Sequence, residues 1–249
     1  MTSPSAPQPT AQTECSQPPA ARTFPVHHHP TSSAPDPQLR LETLLVRSGT
    51  GTDPATGAIT TPIHLSTAYG HPGLGESTGY DYTRTASPTR DVLQDALARL
   101  EGGTAAFALS SGMAALELVT RTLAPHGSRI VALRDLYGGS FRFLEVLAEE
   151  GAARVEFVLG TEGLREALAS PADLVIIETP TNPMMEEIPI HEAVELAHAA
   201  GARLVVDNTF YTPVVQRPLE LGADVVVHSG TKYLGGHNDV MAGVAVVSD

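Results

Sequence analysis

From residue 88 onward the chain alternates between two hydrophobic patterns. Short continuous apolar runs, such as Leu174-Val175-Ile176-Ile177, are separated by longer stretches whose apolar residues recur every three or four positions. The first pattern fits strands buried on both faces, and the second fits helices with one buried side. The runs predict strands over 105–109, 129–133, 155–159, 174–177, 203–206, 224–227 and 242–247, and helices over 113–123, 141–150, 162–169 and 190–200. One more helix comes before them. Ser87 is placed to cap it, Pro88 suits its first turn, and Gly102-Gly103 stops it after Leu100. Strand-helix alternation of this kind implies an α/β fold with a mostly parallel seven-stranded sheet and helices on both faces. The last two strands are joined by a Gly-rich loop without a helix, so one of them can run antiparallel.

Upstream the patterning fades. A short helix is predicted over 39–47. It is followed by an irregular stretch over 48–87, punctuated by Gly49, Gly51, Pro54, Gly57, Pro62, Gly70, Pro72, Gly73 and Gly75. A structureless stretch of that length is functional or packs on something outside its own domain. Residues 1–37 are rich in Pro, Ser, Thr, Ala and Gln and cannot bury enough apolar surface to offset the entropy of ordering, which predicts a disordered tail. His27, His28 and His29 lie within it, either as a metal site or as incidental histidines. The expected organisation is a tail over 1–37, an arm over 38–90 and an α/β domain over 91–249.

Composition narrows the function classes. The chain has 249 residues, of which 42% are hydrophobic and 17% charged, as in a soluble globular protein. A formal charge of -13 argues against nucleic acid and anionic membranes as partners. Cys15 is the only cysteine, so neither an internal disulfide nor a multi-cysteine metal site can form. No apolar run reaches membrane-spanning length, and the first residues lack the charged and apolar regions of a secretory signal. A cytoplasmic location is the expectation.

Lys232 is the only lysine among 15 basic residues. Arginine cannot serve as an amine nucleophile at neutral pH, whereas lysine can, so Lys232 is either a Schiff-base lysine or a surface charge. Ligands of such sheets bind beyond the carboxyl ends of the strands, where several other polar groups fall. Ser110-Ser111-Gly112-Met113 leads from a predicted strand into a helix, and is either a phosphate site made of backbone N–H groups or an ordinary serine cap. Asp207 ends a strand, either to hold a cationic ring nitrogen or to cap a turn. In Glu178-Thr179-Pro180-Thr181-Asn182-Pro183, two prolines fix a loop whose Asn182 amide either bonds a ligand or serves the turn. Tyr137 either stacks on a planar cofactor or fills the core. Ser229 and Thr231 flank Lys232 with hydroxyls suited to a phosphate. A phosphate cup, a stacking ring, a carboxylate for a ring nitrogen and a unique lysine together match pyridoxal 5′-phosphate.

These residues also carry a resemblance. Tyr82-Thr83-Arg84 with Pro88-Thr89, Ser110-Ser111-Gly112-Met113-Ala114, Asp135-Leu136-Tyr137-Gly138-Gly139, Glu178 to Pro183, Val206-Asp207-Asn208-Thr209-Phe210 and the Ser229 to His237 stretch resemble the Cys/Met-metabolism family of pyridoxal-phosphate enzymes. The resemblance covers residues 41–249 and implies the aspartate-aminotransferase-like (fold type I) large domain. It implies that Lys232, Tyr137 and Tyr82 are catalytic. Lys232 binds the cofactor aldehyde and moves protons on the substrate, Asp207 pairs with the pyridine nitrogen and Tyr137 stacks on the ring. Gly112, Met113, Ser229 and Thr231 hold the phosphate, and Asn182 lies near the ring substituents or the substrate. Tyr82 and Arg84 reach the phosphate of a neighbouring subunit, so the resemblance implies a homodimer or tetramer acting on small amino-acid substrates.

The stretches 73–80, 208–213 and 232–239 resemble bacterial cystathionine γ-synthase/O-acetylhomoserine thiolyase proteins. They imply γ-replacement on an O-acyl-homoserine with cysteine or sulfide, in trans-sulfuration and methionine biosynthesis. Cystathionine β- or γ-lyase is the alternative. Methionine γ-lyases carry cysteine where this chain has Gly139. The family also continues into a C-terminal domain beyond the point that Asp249 matches, so a catalytically incompetent cofactor-binding fragment is a further expectation.

Overall fold

The computed structural model describes residues 39–248 other than 52 and 54. The tail expected over 1–37, with Cys15 and His27 to His29, lies outside the described residues. All seven strands form: β1 (Ala105–Leu109), β2 (Arg129–Leu133), β3 (Arg154–Val158), β4 (Leu174–Glu178), β5 (Arg203–Asp207), β6 (Val225–Ser229) and β7 (Gly243–Val247). They make one sheet in the order β1-β7-β6-β5-β4-β2-β3. β3, β2, β4, β5 and β6 pair in parallel, while β7 runs antiparallel to both β6 and β1. The strand free to reverse is thus the last one, which needs no crossover helix to reach β6.

The helices α1 (Leu41–Arg47), α2 (Pro88–Glu101), α3 (Gly112–Leu123), α4 (Gly138–Glu149), α5 (Gly160–Ala167), α6 (Ile190–Ala199) and the single turn α7 (Thr212–Val215) complete the chain. α2 sets Leu97 and Leu100 against Ala106, Val226, Val244 and Val246, with Leu41 and Leu44 of α1 packed on the same cluster. On the opposite face, Leu116 and Val119 of α3 join Val225, Val227 and Ala245 in the main core. All five residues of β4 are buried: the apolar run Leu174 to Ile177 as both faces require, and Glu178 with it. Truncating a core side chain such as Ile176, 1% exposed, to alanine costs roughly 2–5 kcal/mol.

Helix ends differ in detail from the expectation. Gly102 stops α2 in the left-handed region at φ 73°, and the Gly103 N–H reaches the Ala98 carbonyl at 2.8 Å. Ser87 occupies the cap position but makes no side-chain cap bond; it is buried, and its carbonyl receives the Asp91 N–H. α4 starts three residues before the predicted 141, because Gly138 and Gly139 enter its first turn instead of forming a loop. The stretch 48–87 holds neither helix nor strand, only isolated bridges between Thr50 and Thr60 and between Ala68 and Tyr82. The boundary expected between 90 and 91 falls inside the first turn of α2. Among the described residues, no helix is long and apolar enough to cross a membrane.

Candidate active site

The carboxyl ends of β1, β2, β4, β5 and β6 converge on one cleft of about 860 Å³. Glu178, Asp207 and Ser229 are the final residues of β4, β5 and β6, one or two positions beyond the apolar runs that predict those strands. Gly112, Met113, Tyr137, Asn182, Thr231 and Lys232 line the same cleft, so it gathers every candidate except Tyr82 and Arg84. Those two lie on the irregular stretch, where the Arg84 guanidinium sits 4.9 Å from the Tyr82 ring centre.

Close backbone approach shapes the wall below Lys232. Ser111 caps α3 by accepting the Ala114 N–H at 3.1 Å, and the first turn of a helix leaves further N–H groups without intrahelical partners. A Cβ on Gly112 would stand 2.8 Å from the Ser229 Cβ, and one on Gly243 would lie 1.8 Å from the Ser111 oxygen. Only glycines let the α3 start, Ser229 and the beginning of β7 meet this closely. The Thr231 hydroxyl is engaged with Ala242, donating to its carbonyl at 3.3 Å and accepting its N–H at 3.1 Å. It pins the Lys232 loop to the residue before β7, a task that phosphate binding alone did not predict.

Two neighbouring carboxyls line the same cleft. Glu178 and Asp207 are register partners on adjacent parallel strands, so both side chains project from the same face. Glu178 Oε2 accepts the Tyr137 N–H at 2.6 Å and fixes the start of α4. Burial, then repulsion from Asp207, pushes the Glu178 carboxyl up to about 8, against the opposing bonds from Tyr137 and Asn182. Burial also raises the Asp207 carboxyl, opposed by the Thr209 hydroxyl and N–H and by the charge of nearby His228. The Thr209 hydroxyl bonds Asp207 and accepts the Ser229 N–H at 2.8 Å, so one side chain links the β5 and β6 ends. The Tyr137 ring is 48% exposed, as a ring offered to a ligand must be, not one filling the core. A Cβ on Gly139 would come within 2.4 Å of it.

The sequence profile of the family described as Cys/Met metabolism PLP-dependent enzyme matches residues 42–249. The chain belongs to this family. It is 47% identical over 211 residues to a cystathionine gamma-synthase/O-acetylhomoserine (thiol)-lyase of Bacillus subtilis, covering 84% of this chain and 56% of the relative. It is 40% identical over 212 residues to a cystathionine beta-lyase of Coxiella burnetii, covering 84% and 54%. A crystal structure of cystathionine gamma synthase from Xanthomonas oryzae pv. oryzae, in complex with aminoacrylate and cysteine, superposes with a TM-score of 0.82 at 43% identity, over 85% of this chain and 55% of that one. The chain spans a little over half the length of the curated relatives it matches.

The cleft of this family member suits the pyridoxal phosphate on which the family depends. A tight glycine-lined cradle stands beside hydroxyl-bearing Ser229, and the Asp207 carboxyl, the Lys232 amine and the Tyr137 ring line the same cleft. Sequence reasoning left Glu178 and Thr209 without roles. Glu178 sits in a quoted motif, but only its register with Asp207 reveals the carboxylate pair. Thr209 follows Asp207 by two residues, a spacing typical of side-chain to backbone turns.

Proposed function

We propose that the cleft holds pyridoxal 5′-phosphate and serves γ-replacement on an O-acyl-homoserine by cysteine or sulfide, within trans-sulfuration and methionine biosynthesis in the cytoplasm. The observation that carries the reading is the convergence of Lys232, Asp207, Tyr137 and Ser229 on one cleft. When bound, pyridoxal phosphate supplies an aldehyde open to amine capture and an electron-withdrawing ring. The Lys232 Nζ is the one side-chain amine the chain offers, and it removes protons at the Cα and Cβ of the substrate. Asp207 accepts the ring N–H as an anion, supported by the Thr209 bonds. Tyr137 covers one ring face and excludes water. The N–H groups of Gly112 and Met113 hold the phosphate together with the Ser229 hydroxyl, joined by the Thr231 hydroxyl when it turns its proton from the Ala242 carbonyl, and Asn182 lies beside the ring substituents.

In this reading the arm packs on a second copy of the chain, in a dimer or tetramer. Ile59, Ile63, Leu65 and Leu74 support it, for they are 67%, 77%, 91% and 107% exposed within one chain. Tyr82 and Arg84 then reach the phosphate of the neighbouring subunit. Likeness to the Coxiella burnetii β-lyase keeps a second reading, C–S cleavage of cystathionine, in view. The test is to supply pyridoxal phosphate and compare cystathionine formed from O-acetyl- or O-succinylhomoserine and cysteine with pyruvate released from cystathionine. Faster cystathionine formation is the expected result; dominant pyruvate release would replace the synthase reading with the lyase one.

A further inference from the structure

On the α2 face of the sheet, behind the cleft, lies a polar network to which the reading above gives no role. Glu101, the last residue of α2, has no exposed side-chain surface, and neither does His228 of β6. The His228 Nε2 bonds Glu101 Oε1 at 2.5 Å. The same oxygen accepts the Asn208 Nδ2 at 2.9 Å. Because that amide nitrogen faces a carboxylate, the Asn208 Oδ1 turns to Gln216 and accepts its Nε2–H at 2.8 Å. Gln216 Nε2 also donates to the Thr179 carbonyl at 2.8 Å. The network thus touches the residue after Glu178, the residue after Asp207 and the residue before Ser229, at the ends of β4, β5 and β6.

We propose that Glu101 is a positioning residue of the cofactor site: one buried carboxylate oxygen ties the ends of β5 and β6, and through Asn208 and Gln216 that of β4, and so fixes Asp207, Ser229 and Glu178 relative to one another. Alternate residues of a strand face opposite ways. Asn208 and His228 therefore anchor from below what Asp207 and Ser229 present above, and Val226, one pleat from His228, packs with Leu97 and Leu100 of α2. Glu101 acts through these neighbours and touches no ligand. Glu101 is the acid that faces His228 directly, and His228 stands near Asp207. Glu178 on β4 is a further titratable group beside Asp207, and Tyr137 and Lys232 line the same cleft. Among the described residues His228 Nδ1 and Glu101 Oε2 make no hydrogen bond, so Glu101 reaches both His228 and Asn208 through Oε1 alone.

The inference rests on the proposed roles of Asp207 and Ser229, and its test separates the two. Pyridoxal phosphate is titrated into the full chain and into E101Q, H228N and Q216M, reading the dissociation constant, the pH midpoint of the visible cofactor band and the thermal midpoint of each. E101Q and H228N are expected to weaken cofactor binding about tenfold or more and to displace the pH midpoint, which a loss of stability alone would not move. The double variant should be no worse than the poorer single, since both break one link. Q216M removes only the β4 branch from a half-buried site, so it should fold even where E101Q does not, with about a threefold loss. Folded variants that match wild type in affinity and pH midpoint overturn the positioning role. A wild-type chain that takes no cofactor overturns the site reading, and this inference with it.

Discussion

The arm and the cleft are built on opposite principles. At the cleft, the chain satisfies itself: Asp207 has Thr209, Glu178 has the Tyr137 N–H, and the strands beneath are buried on both faces. Along 48–87, the apolar side chains of Ile63, Leu65 and Leu74 find almost no cover among the described residues, and the backbone is held by turns and two isolated bridges instead of a strand ladder. Neighbouring sequence therefore serves two different ends. Residues after 88 can be understood from one chain, whereas the arm is accounted for by the second copy proposed above.

The largest test of that contrast is D207A. Removing one partner of a buried charge contact costs about 2–5 kcal/mol, so pyridoxal phosphate affinity should fall accordingly in a fluorescence titration; unchanged affinity would remove Asp207 from the site. G139C comes next. Its side chain must displace the Tyr137 ring, which would stand 2.4 Å from the new Cβ, and overpacking of this kind costs about 1–3 kcal/mol. The same titration should register it, and a crystal structure should find the ring moved.

L65D with L74D should leave the fold within about ±0.5 kcal/mol, since neither residue is covered within the chain. Sedimentation should instead shift toward the single chain. Loss of the far-UV circular dichroism of the sheet would mean that the arm is structural within its own chain. E178Q tests the cleft side of the comparison through pH. The folded chain holds the Glu178 proton up to about 8, against an ordinary 4.5. That contribution is complete below the unfolded value and is lost as pH rises through the folded one. The cofactor-free E178Q chain, neutral throughout, should thus gain thermal stability relative to wild type as pH rises toward 9. A constant difference across that range would mean that Glu178 is not protonated in the fold.

Most of the sheet was legible because β-runs such as 174–177 are apolar on both faces and are bounded by turn residues. The same rule placed the strand ends too early at the site. Glu178, Asp207 and Ser229 break the apolar run although they still pair in the ladder, so these cleft residues fell just outside the predicted strands. Lys232 was legible by rarity, and Gly112 by its place between strand and helix. Glu101 and His228 were not, because they stand 127 positions apart and only the packing of α2 on β6 brings them together. Glu101 before Gly102-Gly103 looks like any acid at a helix end. The turn α7 escaped because four residues are too few for periodicity to register.

The central claim is that Lys232 is the amine that captures pyridoxal phosphate in this cleft. The direct measurement is to add the cofactor to the purified chain, reduce with borohydride and map the modified peptide by mass spectrometry. The adduct should sit on Lys232 and vanish in K232A. An unmodified Lys232, or an adduct of equal yield in K232A, would contradict the account.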